Sequence, residues 1–407
     1  MRNNCIFSLV ILSFIITSCS PEKQSKDGLA FIDVTKNYPE REIPLTDIAD
    51  VTYLHLSTVD DDYLHMGGVV CTTENTNVVV DFDSRSILFF SKDGNPKSHF
   101  NRRGQGSEEY TNIFAADVIY DETADEVFVV SRGGGRSTIQ VYSSTGIHKR
   151  KISLPGKRVE YLIDFDDHSL FFDDPTIQID IGMALSKGED LPERDKYVKP
   201  FYRISKTTGE IVDCVELPDT HRNMTVHFDD GGVASATYTF TTQCPEGALL
   251  WSPGTDTVYL YRSDKSLTPV IYLTPSLISL SPVRQLTWCI DRGQYQFFEI
   301  ATIRAGIVQR REGSVRDDLI PVKYYMRNKK TGEVAHPKFI LPDYKGKEFV
   351  LSEWEYADLG NDYTFILSLY ELKEAYRADK LSGKLKELVA TLNEDEDNNV
   401  FMLVNFK

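Results

Sequence analysis

The sequence predicts an all-β chain folded as a six-bladed β-propeller with four-stranded antiparallel blades. Three observations lead there. β-Branched and aromatic runs bounded by turn residues are frequent, helix periodicity is scarce, and one hairpin pattern recurs along the chain. The runs include "NVVVDFD", "SILFFS", "EVFVVS", "TIQVYS", "SLFFDD", "TVYLYRS", "DYTFILSLYEL" and "VFMLVNF". The best helical window, "SLYELKEAYRADKLSGKLKELV", is broken by Gly383. A single sandwich takes about 100 residues, far fewer than this chain holds, so a repeat architecture is the economical solution.

The repeat is an apolar strand, a polar turn usually carrying Gly after Lys, Asp or Thr, and a second strand that often ends near Pro. Its copies are "LFFSKDGNPKSHF" from Leu88, "QVYSSTGIHKRKISLPG" from Gln140 and "FYRISKTTGEIVDCVELPD" from Phe201. They continue as "YLYRSDKSLTPVIYLTP" from Tyr259, "YYMRNKKTGEVAHPKFILPD" from Tyr324 and "AYRADKLSGKLKELVATLNE" from Ala375. Gly94, Gly146, Gly209, Gly332 and Gly383 hold the turn, where a positive φ favours glycine. The fourth copy has Ser266 near that point, which predicts a different turn type there. A hairpin every 50–65 residues or so leaves room for two more strands per unit, hence four-stranded blades whose ring closure protects the sheet edges. "DVTYLHLST" near the start and "NVFMLVNFK" at the end are the candidates for closing the ring. A pair of separate β-domains is the competing arrangement.

The N-terminus, "MRNNCIFSLVILSFIITSC", has one basic residue, Arg2, and an apolar stretch from Cys5 to Ile16. That stretch suits a secretory signal and is too short for a membrane span, which needs about 20 residues. Small residues precede Cys19 and a polar run follows, as in a bacterial lipobox whose cysteine is acylated; an ordinary signal with a chance cysteine is the alternative. The predicted division is a signal peptide over 1–18, lipid anchor and linker over 19–40, and one propeller over 41–407. A formal net charge of −16 argues against nucleic acid or anionic headgroups as partners. Cys71, Cys214, Cys244 and Cys289 show no zinc spacing; one or two disulfides are open to an exported chain, as are buried thiols on separate strands.

"IPLTDIADVTYLHLST" (Ile43–Thr58), "DFDSRSILFFSKDGN" (Asp81–Asn95), "RRGQGSEEYTNI" (Arg102–Ile113) and "NEDEDNNVFMLVNFK" (Asn393–Lys407) resemble the six-bladed β-propeller lipoproteins of Bacteroides-type bacteria. The resemblance covers most of the mature chain, is strongest at its ends and is weak from about Leu170 to Arg316. Gly104, Gln105, Gly106, Glu109 and Tyr110 keep that family's pattern, while Ser107 and Glu108 stand where Pro and Gly are expected. The resemblance implies an outer-membrane lipoprotein, periplasmic or surface-facing, with ligand or glycan binding rather than a defined reaction.

Several clusters invite chemistry. "NRRGQGSEEY" lacks the Lys-Ser/Thr of a P-loop and the third glycine of a dinucleotide fingerprint. It reads as scaffold, with Arg102 and Arg103 as candidate grips on an anionic or sugar-like ligand. "SRGGGRSTIQVY" places Arg132 and Arg136 beside a glycine run that suits either a hairpin loop or an anion-binding nest. The acidic runs at Asp60–Asp62, Asp164–Asp174 and His227–Gly232 read as turn chemistry before they read as calcium ligands or glycosidase pairs. His221 and His227 share one side of a strand, but no third metal ligand accompanies them. Trp251, Trp288 and Trp354 suit core packing first and sugar stacking second. "MALSKGEDLPERDKYVKP" (Met183–Pro200) and "RREGSVRDD" (Arg310–Asp318) read as long surface excursions that shape a binding face. No cofactor or catalytic residue is assigned. The expected function is a binding or scaffold propeller for a carbohydrate or a partner envelope protein, with the ligand at the central channel and the membrane reached through the lipid anchor. The alternative is a propeller hydrolase or lyase acting on a glycan with channel carboxylates or histidines.

Overall fold

The computed structural model describes residues 29–407, apart from 114–116, 134–135, 177–178, 180–197, 219–223, 229–232, 237–239, 254, 304–306, 309–319, 352–357 and 360–361. The expected signal segment, Cys19, His221, Trp354, most of the Met183–Pro200 excursion and all of Arg310–Asp318 therefore lie outside the described residues. The chain enters through β1 (Ala30–Asp33), β2 (Glu40–Pro44), the helical turn α1 (Leu45–Ile48) and β3 (Ala49–His55). Blade 1 follows as β4 (Gly68–Thr72), β5 (Thr76–Val80), β6 (Ile87–Ser91) and β7 (Pro96–Phe100), and blade 2 as β8 (Val118–Asp121), β9 (Glu126–Gly133), β10 (Arg136–Tyr142) and β11 (His148–Ser153). Blade 3 is β12 (Leu162–Asp166), β13 (Ser169–Asp173), β14 (Val198–Ser205) and β15 (Ile211–Pro218). A hairpin of β16 (Met224–Phe228) and β17 (Val233–Ala236) precedes blade 4, which is β18 (Thr241–Cys244), β19 (Gly247–Leu250), β20 (Thr257–Tyr261) and β21 (Leu267–Thr274). Blade 5 is β22 (Arg284–Arg292), β23 (Tyr295–Thr302), β25 (Val322–Asn328) and β26 (Val334–Ile340). The short β24 (Ile307–Val308) leaves it to pair in parallel with β16, and β27 (Glu348–Phe349) flanks β26. Blade 6 is β28 (Asp358–Leu359), β29 (Asp362–Leu367), β30 (Val400–Phe406) and, from the other end of the chain, β3.

Blade stacking explains the sequence pattern. Central strands are covered on both faces, so β5 and β6 show no alternation of buried and exposed positions and are buried almost throughout, Thr76 and Asn77 included. Outer strands meet a neighbouring blade on one face and water on the other, so β7 and β11 alternate buried and exposed positions. The core is consequently a set of layers between blades. One layer joins Val78, Val80 and Phe89 of blade 1 to Val127 and Val129 of blade 2. Another joins Phe401 and Leu54 of blade 6 to Val79, Leu88 and Phe90 of blade 1. The innermost strands β28, β4, β8, β12, β18 and β22 touch in that order around the axis.

Both expected closure segments meet. β3 pairs antiparallel with β30 from Ala49–Phe406 to His55–Val400. The N-terminal segment does more than close the ring, and here the expected boundary at residue 41 is corrected. β1 adds in parallel to the outer strand of blade 4, β2 adds in parallel to the outer strand of blade 5, and β3 completes blade 6. Residues from 30 onward are thus sheet rather than linker, because Ala30 and Ile32 bury their side chains against blade 4.

The sixth repeat copy is also corrected. "AYRADKLSGKLKELVATLNE" is helical, lying in α2 (Leu369–Arg377) and α3 (Gly383–Thr391), inserted between β29 and β30. The apolar run "DYTFILSLYEL" ends as strand at Leu367, and Ser368 caps α2 by accepting from the Glu371 N–H. Blade 6 therefore exists with different strands. In the fourth copy the expected change of turn type does not occur. Lys265 itself adopts φ 68° and donates its N–H to Arg262, as Gly146 does to Ser143 with φ 77°. What differs is the junction. A Cβ on Gly146 would lie 2.6 Å from Phe100 of the preceding blade, whereas Lys265 extends its ammonium to the Val212 carbonyl of blade 3. Gly146→Ala is expected to destabilise the protein by at least about 2 kcal/mol through backbone strain and overpacking. Lys265→Gly should stay within about 1 kcal/mol of wild type. Denaturant midpoints read both, and equal losses would show that the junction contact is unimportant.

Candidate functional site

The run Asn101–Tyr110, between blades 1 and 2, is held as a closed loop. The Tyr110 hydroxyl accepts from the Arg102 N–H and donates to the Arg85 carbonyl, and the Glu109 carboxylate accepts from the Gly106 N–H at 2.7 Å. A Cβ at Gly104 would overlap that carboxylate, so a larger residue there would displace the Glu109 side chain from its bond to Gly106. Tyr142 and Gln140 of blade 2 donate to carbonyls of Glu108, Ser107 and Glu109. Arg102 donates through Nε to the Gly146 carbonyl at 2.9 Å, so it bridges the two blades, while Arg103 is exposed. These bonds tie the stretch to itself and to the strands of blades 1 and 2.

Arg132 at the end of β9 makes a second inter-blade contact. Its Nη2 lies 2.5 Å from the wholly buried Asp117 carboxylate and donates to the Glu160 carbonyl at 3.0 Å. The guanidinium thereby neutralises a carboxylate that burial would otherwise penalise. The structure does not bring Arg102 or Arg103 to this cluster through any described hydrogen bond or ion pair. The Arg136 side chain and Gly134–Gly135 lie outside the described residues, as do Asp229–Gly232 and the side chain of His227.

At the opposite ends of the inner strands a charged cluster gathers around Lys206. Its ammonium is 2.9 Å from Asp121 and 2.8 Å from Asp164. Burial works to lower the Lys206 pKa, but the two carboxylates outweigh it and hold the pKa above the ordinary value. The Asp164 pKa is raised as well, because its burial exceeds the pull of Lys206. Arg203 pairs with Asp166 at 2.5 Å and donates to the Ser263 carbonyl of blade 4. Glu122 accepts from Thr73, Asn75 and Thr76 in the first turn of blade 1. The acidic hairpin residues thus cap turns and tie neighbouring blades together. Asp60 caps a short helical turn at Asp61–Tyr63 in the same manner.

Trp251 and Trp288 are fully buried, as the core reading expects. None of the four cysteines is in a disulfide. They sit on β4, β15, β18 and β22, with Cys244 and Cys289 buried and Cys214 exposed, so the expectation of buried thiols fails at Cys214. Burial pushes the Cys71 and Cys244 thiols up to about 12, which leaves them unreactive. Among the described residues, no three His, Cys, Asp or Glu side chains are placed to share a metal ion, and no helix is long and apolar enough to cross a membrane.

Two adjoining grooves lie where the connection from blade 5 to blade 6 passes the inserted helices. One, of about 470 Å³, is lined by Tyr344, Lys347, Val350, Ile366 and Glu371 among others. The other, of about 500 Å³, shares Tyr344, Lys347 and Glu348 and continues to Lys345, Lys380 and Ser382. Val350 and Ile366 are exposed, giving an apolar strip, and a Lys347–Glu371 ion pair at 3.1 Å borders it. Lys373 caps the C-terminal carbonyls of α3, which fixes the helical hairpin behind the groove. Sequence reasoning missed this site. The one available signal was a helix-period window inside an otherwise all-β repeat, the mark of an insertion.

Residues 20–199 match the model of the DUF5128 family, described as a 6-bladed beta-propeller. No curated protein matches the sequence. Among solved structures, a candidate exported protein of Bacteroides fragilis is similar over 93% of this chain and 99% of its own, with 13% identity and a TM-score of 0.58. A streptogramin B lyase is similar over 89% of this chain and 99% of its own, at 9% identity and a TM-score of 0.35. TolB of Acinetobacter baumannii is similar over 79% of this chain and 60% of its own, at 12% identity and a TM-score of 0.31. The family model and the likeness to the Bacteroides fragilis protein agree with the six-bladed fold.

Proposed function

We propose that this propeller is an exported, lipid-anchored binding protein of the outer membrane that takes a carbohydrate in the grooves between blade 5 and the inserted helical hairpin. The observation that carries the reading is the lining of those grooves. An apolar strip of Val350, Ile366 and Tyr344 is rimmed by Lys347, Glu348, Glu371, Lys380 and Ser382. A saccharide ring has the matching character, with an apolar face and a hydroxyl edge. Export and anchoring are supported by the apolar segment ending at Cys19 and by the exported description of the Bacteroides fragilis neighbour.

The site proposed here lies off the central channel, where the ligand was first expected. A hydrolase or lyase has one supporting observation, the raised pKa of Asp164, which is the pattern of a general acid. That carboxylate is nevertheless engaged by Lys206, and binding is the better supported reading.

Titration calorimetry with soluble oligosaccharides, read against Ile366→Asp and Lys347→Glu, tests the proposal. Each variant should weaken binding at least about tenfold, or 1.4 kcal/mol, with little change in melting temperature because both side chains are partly exposed. Unchanged affinity in both variants removes the grooves from the binding site. Binding of an envelope protein in place of any sugar would move the reading to a scaffold.

A further inference from the structure

We propose that the rim of blade 4 rests on the bilayer that holds the anchor, with Phe31 and Tyr272 at headgroup level. This inference rests on the lipid attachment at Cys19 proposed above. Phe31 on β1 and Tyr272 on β21 are cross-strand partners with ring centroids 5.6 Å apart, edge to face, and they are 43% and 37% exposed. Leu267 on the same strand and Ile278 in the turn that follows it are exposed too. The alternate residues Ala30, Ile32, Ile271 and Leu273 already supply the blade core, so the outward residues are not needed for folding. Comparable outward positions on the rim of blade 2 are Lys149 and Lys151, the normal polar choice for a solvated edge.

The path of the chain selects the occupant. Nine residues lie between Cys19 and Leu29, so the two are at most about 35 Å apart along extended backbone, and Leu29 leads directly into β1. The rim of blade 4 is therefore the part of the propeller tied nearest the lipid. Aromatic side chains favour the headgroup region. The net charge of −16 makes attraction to anionic lipid unfavourable, so the contact is apolar and insensitive to salt.

The test is hydroxyl-radical footprinting of the full lipidated chain on phosphatidylcholine vesicles, compared with the Cys19→Ser chain in solution at equal concentration. Phe31 and Tyr272 should oxidise severalfold more slowly on vesicles at both low and high salt, while the exposed Tyr370 of α2 keeps its solution rate. If the protein floats with vesicles but Phe31 and Tyr272 react as in solution, the docking surface is wrong and the anchor stands. If the lipidation-competent chain does not float, the anchor and the docking surface both fall. Protection in solution that grows with protein concentration overturns the proposal in favour of a contact between copies.

Discussion

Replacing Phe401 by alanine is expected to cost about 3–5 kcal/mol, the usual range for deleting a buried aromatic ring. Phe401 lies on β30, pairs with Leu54 of β3 on one side and Ile366 of β29 on the other, and is wholly buried. Its ring belongs to the layer that joins the last blade to the first. That layer contains Tyr63, Val69, Val79, Leu88 and Phe90, contributed by segments that have no contact in sequence with β30. The cavity left by alanine would also loosen the pairing of β30 with β3, where the ring is closed by side chains and hydrogen bonds rather than by a chain connection. Denaturant titration followed by circular dichroism reads the loss as a lower midpoint. A change below about 1 kcal/mol would show that closure does not depend on this layer.

Stability should also fall on mild acidification, by about 3 kcal/mol between neutrality and pH 4, through His65. His65 is 4% exposed, in the connection from β3 to β4. Its Nδ1 accepts from the Gly67 N–H at 3.2 Å, so the proton of the neutral ring sits on Nε2, which has no partner among the described residues. The ring packs beside Phe90 and Phe401. Burial among these groups lowers the pKa from 6.5 to about 4, against the opposing influence of Asp81, while neighbouring His55 adds slightly to the lowering. Below pH 6.5 the unfolded chain binds a proton that the folded chain refuses, so stability is full above that pH and is lost progressively down to about 4. Many carboxylates, including Asp81 and Glu126, have lowered values, and their losses fall at lower pH. His65→Asn, which keeps an acceptor for Gly67, should flatten the dependence between pH 6.5 and 5 whatever it does to stability at neutrality. An unaltered slope in that variant would assign the acid sensitivity elsewhere, with His55 the next residue to test.

The outer hairpins were legible because each combines two long strand runs with a turn of fixed chemistry, as at Gly94, Gly146 and Gly209. The innermost strands were not. β4 "GVVCT", β8 "VIYD" and β18 "TTQC" are short and mixed in character, and β4 carries a register shift. Their place is fixed by neighbouring blades rather than by local pattern. The helical insert was half legible. Its periodicity was visible, but Gly383, which begins α3 at φ 54°, resembles the turn glycines of the true hairpins. Charged residues such as Arg132 stand out in sequence, yet their meaning depends on Asp117 and Glu160, which only the packing of blade 2 against blade 3 supplies. The grooves beside the helices depend on four separate segments, Glu42, Ile340–Val350, Phe365–Leu372 and Asp379–Ser382, so no single window of sequence contains them.

The lacing of β1, β2 and β3 along the rims of blades 4, 5 and 6 has a consequence for the timing of assembly. These are among the first residues of the propeller to be synthesised, and their partners β21, β26 and β30 are made progressively later. Blades 1, 2 and 3 contain only their own consecutive strands, and so have all their partners as soon as they emerge. The second half of the ring must instead recapture a segment made long before, and β3 has to wait for nearly the last residues of the chain. A nascent molecule is therefore expected to mature from its middle outward, with its oldest strands the last to find their places.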